Sequence, residues 1–256
     1  MKQPVVLIGV GEVGGVVARG LLRTGYPVFP VTRGMNMNEV ALQVPDPALV
    51  LVAVGEANLH DTLEQIPGVW RDRIGLLQNE LLPRDWHKHA YRNPTAISIW
   101  FEKKKGMDAK VLLPSPAFGP QARLLVDALK AVDIPARETA TADEMIWELV
   151  RKNIYILTIN IAGLECGGNV KDLWNQHHEL MNAVANEVID IQEYLTHSTL
   201  DRPRLIAGLK EGIDGDLQHT CTGRSAPARL IRNLGFADQA GLAVPKLREI
   251  KARYVK

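Results

Sequence analysis

The stretch Val5-Val6-Leu7-Ile8-Gly9-Val10-Gly11-Glu12-Val13-Gly14-Gly15-Val16-Val17-Ala18-Arg19-Gly20-Leu21-Leu22 decides the fold. It starts as a short apolar, β-branched run, passes through G-x-G-x-x-G, and continues with helical patterning. Strand, glycine-rich turn and helix in that order give the glycine spacing a physical meaning. Gly9 allows the tight turn, Gly11 lets the backbone approach a pyrophosphate, and Gly14 lets the helix pack closely on the strand. The free N–H groups and the dipole of the helix N-terminus then face phosphate oxygens. This reading places a dinucleotide at Gly9, Gly11, Glu12, Val13 and Gly14.

Outward from that stretch, the first half alternates strands and helices. Strands are expected at Val5–Ile8, Val28–Thr32, Ala48–Val54, Ile74–Gln78, Ala96–Phe101 and Lys110–Leu113, with helices at Gly14–Thr24, Ala57–Gln65 and Gln121–Val132. Short apolar runs between helices predict a mostly parallel, doubly wound sheet covered on both faces. The α/β domain is expected to close near Arg137, giving domains 1–137 and 138–256. The second half reads as all-α: a helix from about Thr141 to Leu164, one amphipathic helix over Asp172–Tyr194, then Pro203–Gly212, Arg224–Gly235 and Pro245–Tyr254. The run Glu102-Lys103-Lys104-Lys105-Gly106 reads as a solvated turn after a strand, with phosphate binding as its minor alternative.

The 256 residues are enough for one or two domains with a sizeable core. A net charge of +1 implies no general attraction to nucleic acid or to a membrane surface. Cys166 and Cys221 are too few for a disulfide framework, so a reducing compartment is the default. With no leader pattern and no apolar run of spanning length, a cytoplasmic location is expected by elimination.

The second strand discriminates between nicotinamide cofactors. An NAD site usually sets a carboxylate at its end to hold the ribose 2′-hydroxyl. Here the strand ends Val28-Phe29-Pro30-Val31-Thr32-Arg33-Gly34, with Thr32 and Arg33 where that carboxylate would stand. A guanidinium grips a 2′-phosphate bidentately, which favours NADP(H). The alternative is that Arg33 is an exposed loop arginine. Pro30 removes a ladder donor and sits awkwardly inside a strand.

The chain resembles the ketopantoate reductase family, NADPH-dependent reductases of a 2-keto acid. The glycine motif with Arg33 carries the likeness, together with Leu76-Leu77-Gln78-Asn79, which is similar to the family's strand ending in Gln/His-Asn-Gly. The resemblance implies an N-terminal Rossmann domain and a helical C-terminal domain of the 6-phosphogluconate dehydrogenase-like group. Asn79 takes the place of the asparagine beside nicotinamide and substrate, and Glu80 replaces the glycine. Gly55-Glu56 stand where the family has a lysine. Glu148-Leu149-Val150-Arg151-Lys152 resembles the segment with the catalytic lysine, which implies that role for Lys152. Asparagines follow that lysine in the family at the fourth and eighth positions, here Ile156 and Asn160. A competing register sets Leu149 on the lysine and Asn153 four residues on. Gly215 and Pro227 replace a serine and a glutamate that contact substrate in the family.

On this reading a protonated lysine, with an unperturbed pKa of about 10.4, gives a proton to the alkoxide formed when a ketone accepts hydride. Its charge also stabilises the oxyanion. Lys152 is the expected general acid, Asn79 and Asn160 position the substrate, and Arg151 or His219 attracts its carboxylate. The plain alternatives are a lysine on a wet helix face and an asparagine in a core hydrogen bond. Cys166, His219 and Cys221 fit no strong zinc spacing, so no metal is expected. The expected ligand is a small carbonyl or hydroxy-acid compound, and a homodimer is compatible with the chain. Two other readings stay open: a dinucleotide-binding sensor with decayed catalysis, and a dehydrogenase oxidising a hydroxy acid.

Overall fold

The computed structural model describes residues 2–255. By its internal contacts the chain forms two compact units that divide between Leu149 and Val150.

The first unit holds β1 (Val5–Ile8), α1 (Glu12–Arg23), β2 (Val28–Val31), α2 (Met37–Gln43), β3 (Leu49–Val52), α3 (Leu59–Glu64), β4 (Ile74–Leu76), α4 (Pro83–His87), β5 (Thr95–Ile97), β6 (Phe101–Glu102), β7 (Lys110–Val111), β8 (Ser115–Phe118), α5 (Ala122–Lys130) and β9 (Ala136–Glu138). Seven strands form one sheet in the order β2-β1-β3-β4-β5-β8-β9. All neighbours in it are parallel except the β5–β8 pair. β1 and β3 are buried at every residue, as unbroken apolar runs must be when both faces are covered. Pro30 is tolerated because β2 is an edge strand, where one missing donor leaves no ladder unfinished.

Three differences from the sequence reading have physical causes. The strand expected at Lys110–Leu113 pairs instead with β6 in a separate two-stranded ribbon. β8 and β9 take the places beyond β5 in the main sheet. Pro116 of β8 cannot donate to a ladder, and it serves as an acceptor, taking a hydrogen bond from the Ser98 N–H at 2.9 Å. β9 is a short edge strand, Ala-Arg-Glu, without an apolar run to betray it. The short helices α2 and α4 also went unanticipated.

α1 and α5 pack side by side. A Cβ built at Gly20 would collide with the Ala128 carbonyl, so glycine sets the distance of approach. The sequence reading closes the α/β domain near Arg137, and the contacts divide at Leu149/Val150, inside α6 (Ala142–Cys166). The first turns of α6 stay with the sheet because Arg137 of β9 pairs with Glu144, at 2.7 Å, and with Glu148.

The second unit comprises the rest of α6 with α7 (Val170–Gln176), α8 (His178–Thr196), α9 (Arg202–Gly215), α10 (Ala226–Ala240) and α11 (Pro245–Tyr254). The single helix expected over Asp172–Tyr194 is two, α7 and α8, broken at His177, whose φ of −124° and ψ of 33° leave the helical region. α8 is the hub, packed by α7, α9, α10 and α11. Two polar contacts fix it. Asn153 of α6 donates to Gln192 at 3.1 Å, and Glu187 accepts from the Lys246 and Leu247 N–H groups at the start of α11.

Candidate functional site

In the first unit, the glycine turn behaves as its spacing requires. Gly9 has φ +92°, and a Cβ there would lie 2.9 Å from the Ala53 carbonyl oxygen. Gly14 is buried, and its Cβ would lie 2.5 Å from the Gly9 oxygen, so only glycine lets α1 start this close to β1. Gly11 is the N-cap of α1, and space for a Cβ there is open to 4 Å. No side chain caps the helix at Gly11. Its first N–H groups therefore have a cradle that a phosphate fits. Glu12 opens the first turn, complementing the helix dipole. Val13 turns its side chain into the core, so its backbone alone can serve a ligand.

A cavity of about 650 Å³ opens at the carboxyl ends of β1, β2 and β3. Gly9, Gly11, Thr32 and Arg33 line it, joined by Met35 and by Asp61 of α3. Thr32 and Arg33 are exposed, and the Thr32 N–H points to the Met35 sulfur at 3.3 Å. Among the lining residues Arg33 is the one cation and Asp61 the one carboxylate. Sequence reasoning did not find Asp61, which lies on a different element from the strand end it inspected.

Asn79 follows β4 in a turn and is half-buried. The residue before it is the builder of this corner. Gln78 is buried, accepts from the Leu77 N–H, and donates to the Val52 and Val54 carbonyls at 2.7 and 3.2 Å. It ties the ends of β3 and β4 together and so fixes where Asn79 starts. Glu80 keeps φ +63°, a left-handed conformation that explains why the resembled family has glycine there.

In the second unit, Lys152 lies half-buried on α6 with its Nζ 5.5 Å from the Tyr155 ring centroid. Burial, and then the Arg229 charge, bring its pKa down from 10.5 to about 7. Two turns further, Asn160 is buried and bonded at both ends of its amide. Its Nδ2 donates to the Cys221 carbonyl at 3.2 Å, and its Oδ1 accepts from Arg229 Nη1 at 2.5 Å. Asn160 therefore positions Arg229 and the Cys221 segment. The same segment packs on Gly163, where a Cβ would meet the Cys221 Cβ at 2.7 Å. His219, also on it, sets its ring 6.1 Å from that of Tyr155. Arg229 is thus bonded to Asn160 and acts on Lys152 through its charge.

Arg151 takes another part. It is buried and ion-paired with Glu211 of α9, which occupies the charge once offered to a substrate carboxylate. In the competing register, Leu149 is buried and Asn153 is bonded to α8. Sequence reasoning missed Arg229, although a signal was present. The buried face of α10 reads Ala226, Arg229, Leu230, Asn233, Leu234, Ala237, and two polar residues at apolar-stripe positions mark a buried polar network. No group of His, Cys, Asp and Glu suited to a metal occurs among the described residues. Nor is any helix among them long and apolar enough to cross a membrane.

No family model matches this sequence. No curated protein matches it either. Solved structures do. A ketopantoate reductase from Ralstonia eutropha JMP134 is 15% identical, with 98% of this chain and 96% of that chain covered and a TM-score of 0.68. D-mandelate dehydrogenase, solved in complex with NADH, is 14% identical over 99% and 97%, with a TM-score of 0.67. The dimeric ketopantoate reductase of Staphylococcus aureus is 14% identical over 97% and 96%, with a TM-score of 0.65. The chain has the fold of the ketopantoate reductases from end to end.

Proposed function

We propose that this chain is a divergent ketopantoate reductase-like enzyme that reduces a small 2-keto acid or related carbonyl compound. Residues 1–137 serve as the dinucleotide domain and 138–256 as the substrate domain. NADP(H) supplies the hydride when bound. The open cradle at Gly11 and the exposed Arg33 at the end of β2 support that cofactor, the guanidinium matching a 2′-phosphate. Asn79, placed by Gln78, orients the carbonyl group. A homodimer accords with the dimeric relative, and a cytoplasmic location with the two free cysteines.

The observation that carries the reading is Lys152. A half-buried lysine titrating at about 7 is a proton donor matched to neutral pH. Its Nζ holds the proton that the nascent alkoxide takes up, and its charge meets the developing oxyanion. Asn160 acts through Arg229, as a positioning residue. The test is a panel of 2-keto acids with NADPH, on the parent chain and on Lys152→Ala. Turnover should drop at least about a hundredfold in the variant while dinucleotide affinity stays within about twofold. Unchanged turnover removes Lys152 from the chemistry.

The sensor reading has one observation in its favour. The Asn160 amide is engaged by Arg229 and the Cys221 carbonyl, so one polar group of the resembled site serves structure here. It expects dinucleotide binding without turnover on any carbonyl compound in the panel.

A further inference from the structure

The β6–β7 ribbon carries the charge run that reads from sequence as a solvated turn. The structure gives one of its lysines a definite place. Lys103 Nζ lies 3.0 Å from Glu12 Oε2 and 2.8 Å from the Lys104 carbonyl oxygen, and its side chain is only 18% exposed. Glu12 is the first residue of α1, next to the Gly11 N-cap in the glycine turn. Phe101 of β6 belongs to the same hydrophobic cluster against which Val111 of β7 and Val13 of α1 pack. The printed link from the ribbon to the first turn of α1 is therefore the Lys103–Glu12 pair itself, with Phe101, Val111 and Val13 sharing one apolar cluster beneath it.

Two features set this apart from an ordinary surface ion pair. A lysine beside a turn normally stays wet, whereas this one is mostly covered. A carboxylate at Glu12 suits the helix dipole, yet it opposes any anion approaching the same N–H groups. An ammonium has three donors, and the contacts with Glu12 and Lys104 account for two.

We propose that Lys103 is a clasp for the pyrophosphate of the dinucleotide, held by Glu12 in the free chain and passed to a phosphate oxygen when the cofactor binds. This rests on the dinucleotide reading above and names a residue that the glycine motif does not contain. The exchange is one charge-assisted contact for another, with no bond made or broken. Glu12, whose side chain is already 44% exposed, then turns to water. The clasp adds to the glycine turn a cation from a segment outside the motif, at the first residue of α1.

The test is a double-mutant cycle on dinucleotide affinity, measured by titration calorimetry at fixed ionic strength. Lys103→Ala should weaken NADPH and NADH alike by roughly tenfold, and Lys103→Arg should largely retain affinity. Glu12→Ala should tighten both, because the competing carboxylate is gone. In the Glu12→Ala background, Lys103→Ala should cost more than in the parent. No cost in that background would show that Lys103 only neutralises Glu12, and the inference would fall. Adenosine, which lacks phosphate, should bind all variants equally; a matching loss for adenosine would also overturn the clasp. If the parent binds neither dinucleotide, the cofactor reading fails and takes the clasp with it. Binding by the parent that is indifferent to Lys103 overturns the clasp alone.

Discussion

Arg229 and Lys152 show how much a single buried residue decides. Arg229 is 6% exposed, bonded to Asn160, and close enough to Lys152 to lower its pKa. Removing a neighbouring positive charge favours the protonated lysine. Arg229→Gln should therefore move the fall in reductase activity to higher pH, read from the pH profile of kcat/KM; an unmoved or lowered midpoint contradicts the coupling. At the other end of the chain, Arg33 is the one cation in the cavity beside β1, β2 and β3. Arg33→Asp should weaken NADPH by roughly tenfold or more with little effect on NADH. Equal affinity of the parent for both cofactors contradicts the 2′-phosphate role. The legibility of these residues differed for a physical reason. Arg33 follows a strand at a fixed distance from a glycine motif, so local sequence reveals it. Arg229 reaches Asn160 across 69 positions, a pairing that only the folded helices create.

At the scale of elements, the sequence was readable wherever one face or both faces are apolar. β1, β3, α1 and α5 follow directly from burial pattern, and α11 matches its expected bounds, Pro245–Tyr254. The missed strands β8 and β9 are held by the neighbours they pair with, since their own residues include a proline and two charges. The α7–α8 break escaped notice because apolar spacing continues across His177 while the backbone turns. Close approach of helices is equally invisible until the partner is known. Gly20 meets the Ala128 backbone, so Gly20→Ala should force α1 away from α5 and cost about 1–3 kcal/mol in chemical denaturation, by overpacking. Stability equal to the parent's would show that the contact has slack.

For the whole molecule, alternation of strands and helices followed by helices alone was enough to foresee an α/β unit and a helical unit. By contacts they divide at Leu149/Val150, inside α6, whose first turns Arg137 ties to the sheet. The glycine turn was legible because close backbone approach at Gly9 and Gly14 demands glycine, which sequence spells out directly. The surroundings of Lys152 were less legible, because α6, α10 and the Cys221 segment bring their side chains together only in the folded unit. The most direct test is the pH dependence of NADPH-dependent reduction by the parent and by Lys152→Ala. A lysine that must be protonated, with its pKa lowered to about 7, predicts activity that is full below that pH and falls as pH rises through it. The variant should show neither the rate nor the fall. A parent profile that is flat across neutral pH, or a fall of the same shape retained in Lys152→Ala, would contradict the account.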